Sequence, residues 1–179
     1  MLQTSTEVRV TRPLWTTWPQ WVAHQCAWWA AVLWMGWLGP AAMGVFIGIH
    51  LWVMRAQLRR ETEVILAAAF IGVAVDGTLN AIDAVRYVGD LRIAGSPVWL
   101  VSIWAGFGAT LRHSQAVLVQ SPLVAATVGL LGGPAAYWGG ERLARMQVSG
   151  GLGWIAVAAT WSIALLLLHY TARRAGRDD

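Results

Sequence analysis

Asp76, Asn80, Arg112, His113 and Tyr137 are polar or ionisable residues set in stretches otherwise apolar enough to lie in hydrocarbon. A charged side chain at a bilayer centre costs at least roughly 2.5–3.5 kcal/mol, so such groups must be paired, neutralised or hydrated. Their chemistry suggests several uses. An Asp–His pair can act as base and orienter. A buried guanidinium can hold a carboxylate or phosphate in two-point contact. Two carboxylates and an amide along one helix can pass protons or cations, or grip a polar headgroup.

At 100° per residue, Gly72, Asp76, Asn80 and Asp83 fall on one stripe. The competing reading of that stripe is a hydrogen-bonded tie between helices, with Asp83 merely interfacial. His113 shares a face with the small residues Ser102, Gly106, Ala109 and Thr110, where another helix can come close. Arg112 and Gln115 point towards the Trp104 and Gly108 side, and Arg112 could equally snorkel to the headgroups. Consecutive segments with a short connector are usually neighbours. The expected polar centre therefore joins Asp76, Asn80 and His113, with Arg112 and with Tyr137 nearby.

The elements that must position these groups follow from composition. Of 179 residues, 57% are hydrophobic and 12% charged, about half the charged share of a soluble domain. No Asp, Glu, Lys or Arg lies between Arg12 and Arg55, enough for two crossings of about 20 residues. The expected fold is an all-α integral membrane bundle of about six transmembrane helices. A tail over 1–18 precedes a membrane domain over 19–171, and a basic tail spans 172–179.

The expected spans run Gln20 to Leu38, Pro40 to Met54, Thr62 to Ile82, Pro97 to about Val119, Pro122 to about Ala144 and Leu152 to Tyr170. Gly39-Pro40 makes the first two a tight hairpin, with a re-entrant hairpin as the alternative for the second. In the fifth, Gly129/Gly133 and Ala136/Gly140 favour close helix approach, Pro134 predicts a kink, and Glu141 with Arg145 predicts a local ion pair. Six spans place eight arginines (Arg9, Arg12, Arg55, Arg59, Arg60, Arg173, Arg174 and Arg177) on the face of the termini. The other face holds four: Arg86, Arg92, Arg142 and Arg145. The excess predicts cytoplasmic termini.

Several classes are excluded or unsupported. All thirteen basic residues are Arg and none form a clustered face, so nucleic acid is not an expected partner. The absence of Lys excludes lysine Schiff bases and a Walker-type lysine. Cys26 alone permits no internal disulfide. His24, His50 and His113 show no ligand-like spacing, so neither metal nor cofactor is expected. Trp28, Trp29, Trp104 and Trp161 sit mid-span, where they could wall a pocket for an isoprenoid or acyl chain, or simply fill space opposite Gly and Ala.

Five stretches together resemble the DUF2878 family of bacterial multi-pass membrane proteins. They are His50-Leu51-Trp52; Arg59-Arg60-Glu61; Val75-Asp76-Gly77-Thr78-Leu79; Trp99 and Trp104 before Ala109-Thr110-Leu111-x-His113-Ser114; and Gly132-Gly133-Pro134-x-Ala136-Tyr137-Trp138. The similarity covers roughly residues 20–170. Gly77 stands where Ser is expected, and Gln115 where an apolar residue is. The family implies an inner-membrane protein without an established activity, in the company of fatty-acid-modifying enzymes. The expected role is a lipid-related binding or accessory protein, with membrane lipids and a lipid-modifying or other membrane protein as partners. A small proton-coupled transporter and an intramembrane enzyme using an Asp–His pair are the alternatives.

Overall fold

The computed structural model describes residues 14–176. Most of the tail expected over 1–18 lies outside the described residues, as do Arg9, Arg12 and Arg177. The described residues form six α-helices: α1 (Trp18–Leu33), α2 (Leu38–Val53), α3 (Leu58–Ala81), α4 (Val98–Thr110), α5 (Pro122–Arg142) and α6 (Gly150–Ala175). Four short strands join them: β1 (Val85–Tyr87), β2 (Arg92–Ile93), β3 (Ser96–Pro97) and β4 (Met146–Val148). The all-α class therefore holds. Two stretches are long and apolar enough to cross a membrane, Arg55–Ala81 and Gly150–Ala175, while α2 and α4 are shorter apolar helices.

The helices pair as α1 on α2, α3 on α4 and α5 on α6, with α3 also against α6 and α4 against α1 and α2. Local chemistry explains the ends. Pro19 lies in the first turn of α1, where a missing N–H costs nothing. A Cβ at Gly39 would sit 2.6 Å from Ala31 Cα, so only glycine lets α2 turn back so tightly on α1. Pro122 opens α5, and the Ser121 hydroxyl accepts from Val124 N at 3.2 Å as its cap. α5 continues through Pro134 as one helix.

The strands were not foreseen. β1 pairs antiparallel with β4, Val85 opposite Val148, and ties the α3–α4 connector to the α5–α6 connector. β2 and β3 form a hairpin around Ala94 and Gly95, both at positive φ, the geometry of a two-residue turn. A Cβ at Gly77 would meet the Ala94 carbonyl oxygen at 2.5 Å. Glycine replaces the expected serine there because the hairpin tip rests on α3. Arg92 pins the loop by donating to the carbonyls of Tyr87, Gly89 and Gly95 at 2.6, 3.1 and 3.0 Å.

Two local expectations are corrected. Glu141 makes no ion pair with Arg145; its Oε1 accepts from Val148 N at 2.6 Å, because β4 folds back over the end of α5. The fourth helix ends at Thr110, not near Val119. The Thr110 carbonyl accepts from both His113 N and Gln115 N at 3.0 Å, closing a turn, and a short 3-10 helix follows over Ala116–Val119.

Close packing of α5 on α6 rests on glycine. A Cβ at Gly129 would lie 2.5 Å from Trp161 O and 2.6 Å from Ser162 Cα, both backbone atoms, whereas one at Gly139 would meet nothing within 4 Å. Gly129→Ala is expected to lose about 1–3 kcal/mol through forced separation of the helices. Gly139→Ala should be neutral or slightly stabilising. Thermal melts of the two variants in the same detergent make the comparison, and equal melting temperatures would contradict it.

Candidate functional site

Asp76 lies on α3, one and a half turns before its end, and is fully buried. Trp104 Nε1 of α4 donates to Oδ2 at 2.9 Å. Tyr137 Oη of α5 donates to Oδ1, and Tyr87 Oη of β1 reaches the same oxygen at 3.1 Å. The two phenol oxygens are themselves 3.1 Å apart. An ionised carboxylate is purely an acceptor, so three donors from three elements satisfy it without a counter-charge. Burial, together with the neighbouring carboxylate, holds the Tyr87 phenol far above its ordinary range, which keeps it a donor. Gly72, one turn earlier, leaves room for the Trp104 ring: a Cβ there would fall 2.7 Å from Trp104 Cβ.

Of the residues expected to meet at Asp76, only Tyr137 does. Asn80 is half-buried beside the Gly95 turn and is not among the Asp76 partners. Asp83 is exposed at positive φ, 3.9 Å from Arg86. Arg112 and His113 belong to a second centre, at the other end of α3. Glu61, buried in its first turn, accepts from Arg112 Nη1 at 2.7 Å and His113 Nε2 at 3.0 Å on Oε1. His50 Nε2 meets Oε2 at 3.1 Å. Fifteen residues at 1.5 Å each separate Glu61 from Asp76 by about 22 Å along the helix. The expected Asp76–His113 pair does not form.

Gln20 of α1 sets the proton position on His50. Its Oε1 accepts from Ser114 N at 3.1 Å, and its Nε2 donates to Ala109 O at 3.0 Å. Two backbone groups of opposite kind thus fix which end of the amide is which. The second Nε2 hydrogen is aimed at His50 Nδ1, 3.0 Å away, so that nitrogen accepts and His50 carries its proton on Nε2, towards Glu61.

His50, Glu61 and His113 also place three ligand atoms within 4.8 Å of one another, a set that could hold a metal ion. Sequence spacing misses it because its members lie on α2, α3 and the turn after α4. The arrangement fits protons better than a metal. Arg112 occupies Glu61 Oε1, and ligation through His50 Nε2 would need a protonated Nδ1 facing the Gln20 amino group.

Between the two centres lies a cavity of about 340 Å³, lined by Trp28 and Trp29 of α1, Trp104 and Phe107 of α4, Trp161 of α6, and by His24 and Gln115. All four tryptophans singled out in the sequence share it. Trp104 and Trp161 pack with ring centroids 4.7 Å apart. A smaller void of about 50 Å³ shares Trp28, Ile103 and Trp161 with it and reaches Tyr137. The Asp76 cage therefore fixes two aromatic walls, Trp104 directly and Tyr137 on the adjoining void. Gln115 Nε2 lies 3.4 Å from His24 Nδ1, while His24 Nε2 is buried without a hydrogen-bond partner.

The residues missed by sequence reasoning are Glu61, His50 and Gln20 at one centre and Tyr87 at the other. Arg112 carried the usable signal, because a guanidinium at that depth needs a carboxylate.

Fold and site together define an all-α, six-helix protein with an apolar exterior and an aromatic cavity between two buried carboxylates. The sequence profile of a protein family of unknown function, DUF2878, matches residues 17–167, and the chain belongs to that family. No curated protein and no solved structure matches the chain.

Proposed function

We propose that the chain is a multi-pass protein of a bacterial inner membrane, with cytoplasmic termini, that holds a lipid-like molecule in the aromatic cavity. The observation that carries this reading is the cavity itself, of about 340 Å³ and walled by five aromatic rings. The exterior supports the membrane part. Leu66 and Phe70 of α3, Leu131 of α5 and Ile155 of α6 are each 63% exposed or more. Apolar surface spread over several helices is a liability in water and ordinary in lipid. Exposed Trp18, Trp34, Trp37 and Trp52 at helix ends suit headgroup level.

The bound molecule serves a partner, and a lipid-modifying enzyme is the partner this role implies. A carrier gains little support, since Asp76 is sealed by three donors and touches no open path. The Asp–His enzyme reading has lost its pair.

Native mass spectrometry of the detergent-purified protein tests the proposal. A lipid-like species should co-purify with wild type and be lost from Ile103→Trp, which fills the cavity from α4. Wild type free of any such species, with pH-dependent solute uptake abolished by Asp76→Asn, would make the carrier the better reading.

A further inference from the structure

We propose that the cavity selects an uncharged lipid whose flat, carbonyl-bearing head accepts a hydrogen bond from His24 Nε2. This rests on the binding role above and names the class of ligand. Three observations point the same way.

The first is charge. Among the described residues, no Arg, Lys, Asp or Glu lines the cavity, and Arg145 lines only the adjoining smaller void. A phosphate or carboxylate head would enter a desolvated space with no counter-charge, which is strongly unfavourable.

The second is the orphaned imidazole. His24 is 4% exposed and lines the cavity, and its Nε2 makes no hydrogen bond. Gln115 Nε2 lies 3.4 Å from Nδ1, and with the amide in this orientation Nδ1 accepts and the ring proton sits on Nε2. A buried donor without an acceptor is costly, and a small turn of the ring towards the cavity brings Nε2 to a ligand oxygen and removes that cost.

The third is shape. Trp28, Trp29, Trp104, Phe107 and Trp161 offer ring faces and edges to a planar group. Trp29 is 48% exposed while lining the cavity, so its mouth opens past α1 on the outside of the bundle. A tail can leave there into lipid while the head stays inside. A quinone head combines these properties: planar, uncharged, with carbonyl acceptors and no proton to give.

The experiment uses the delipidated full chain in detergent and three probes sharing a ten-carbon tail: decylubiquinone, decanoic acid and decyl phosphate. Binding is read by isothermal titration calorimetry at neutral pH, and folding by circular dichroism. Decylubiquinone should bind wild type at least about tenfold more tightly than either anion. His24→Leu should weaken it by about tenfold, the effect of one lost hydrogen bond, and His24→Gln, which restores a donor, should recover most of it.

An anion binding as tightly as decylubiquinone overturns the charge selectivity. Decylubiquinone binding lost in Ile103→Trp yet unchanged in His24→Leu overturns the role of His24. In both cases the cavity still binds lipid. The cavity reading itself falls if no probe binds and the species that co-purifies with wild type also survives Ile103→Trp.

Discussion

Arg112→Ala is expected to destabilise the protein by about 3–5 kcal/mol, the usual effect of removing one partner from a buried ion pair. Glu61 is 1% exposed and the Arg112 side chain 13%, so solvent screens little of the loss. His50 and His113 would still donate to the carboxylate, but neither brings a permanent charge. Adding Glu61→Gln to Arg112→Ala should recover a substantial part of the loss, because the stranded charge is then gone. Reversible denaturation in mixed micelles measures the cycle. An Arg112→Ala protein within about 1 kcal/mol of wild type would show that the carboxylate never depended on it.

At the other centre the choice of substituent decides the size of the effect. Asp76→Leu leaves an indole N–H and two phenols without their acceptor, and roughly 3 kcal/mol or more should be lost. Asp76→Asn is expected to be much milder. Its oxygen can face Trp104, which only donates, and its amino group can face Tyr87 and Tyr137, whose hydroxyls can also accept. The same melts separate the two variants. A cage built around the charge rather than the hydrogen bonds would make them equally damaging. Asp76→Leu should also release the Trp104 ring and lower lipid retention, since that ring walls the cavity.

Much of the architecture was legible because apolar length and breaking residues act locally. Gly39-Pro40 marked the first hairpin, Ser121-Pro122 the start of α5, and Gly129 with Gly133 the face that meets α6. The site was less legible, for a reason of register. In an antiparallel helix pair, partners lie equally far from the connector. Asp76 and Trp104 satisfy that rule about the 83–97 connector; Asp76 and His113 do not, and Arg112 and His113 lie towards the N-terminal half of α3. The helical wheel drawn through Arg112 and His113 failed for a related reason. A regular helix would fan the side chains of 112–115 around its axis. The turn at Thr110 instead sends Arg112 and His113 to Glu61, Ser114 N to Gln20 and Gln115 to His24. The strands escaped notice because three-residue elements carry almost no periodic signal.

The pairing of Val85–Tyr87 with Met146–Val148 also imposes an order in time. About sixty residues separate the two strands, roughly 3–12 s of synthesis at about 5–20 residues per second. Throughout that interval the first strand has no mate, and for most of it Asp76 lacks the hydroxyl of Tyr137. The nascent chain must carry an incompletely satisfied carboxylate until its fifth helix arrives. A late step of assembly, with only α6 still to come, thus closes the edge and completes the acid's partners, giving a half-made chain a distinguishable, unfinished surface on which quality control can act.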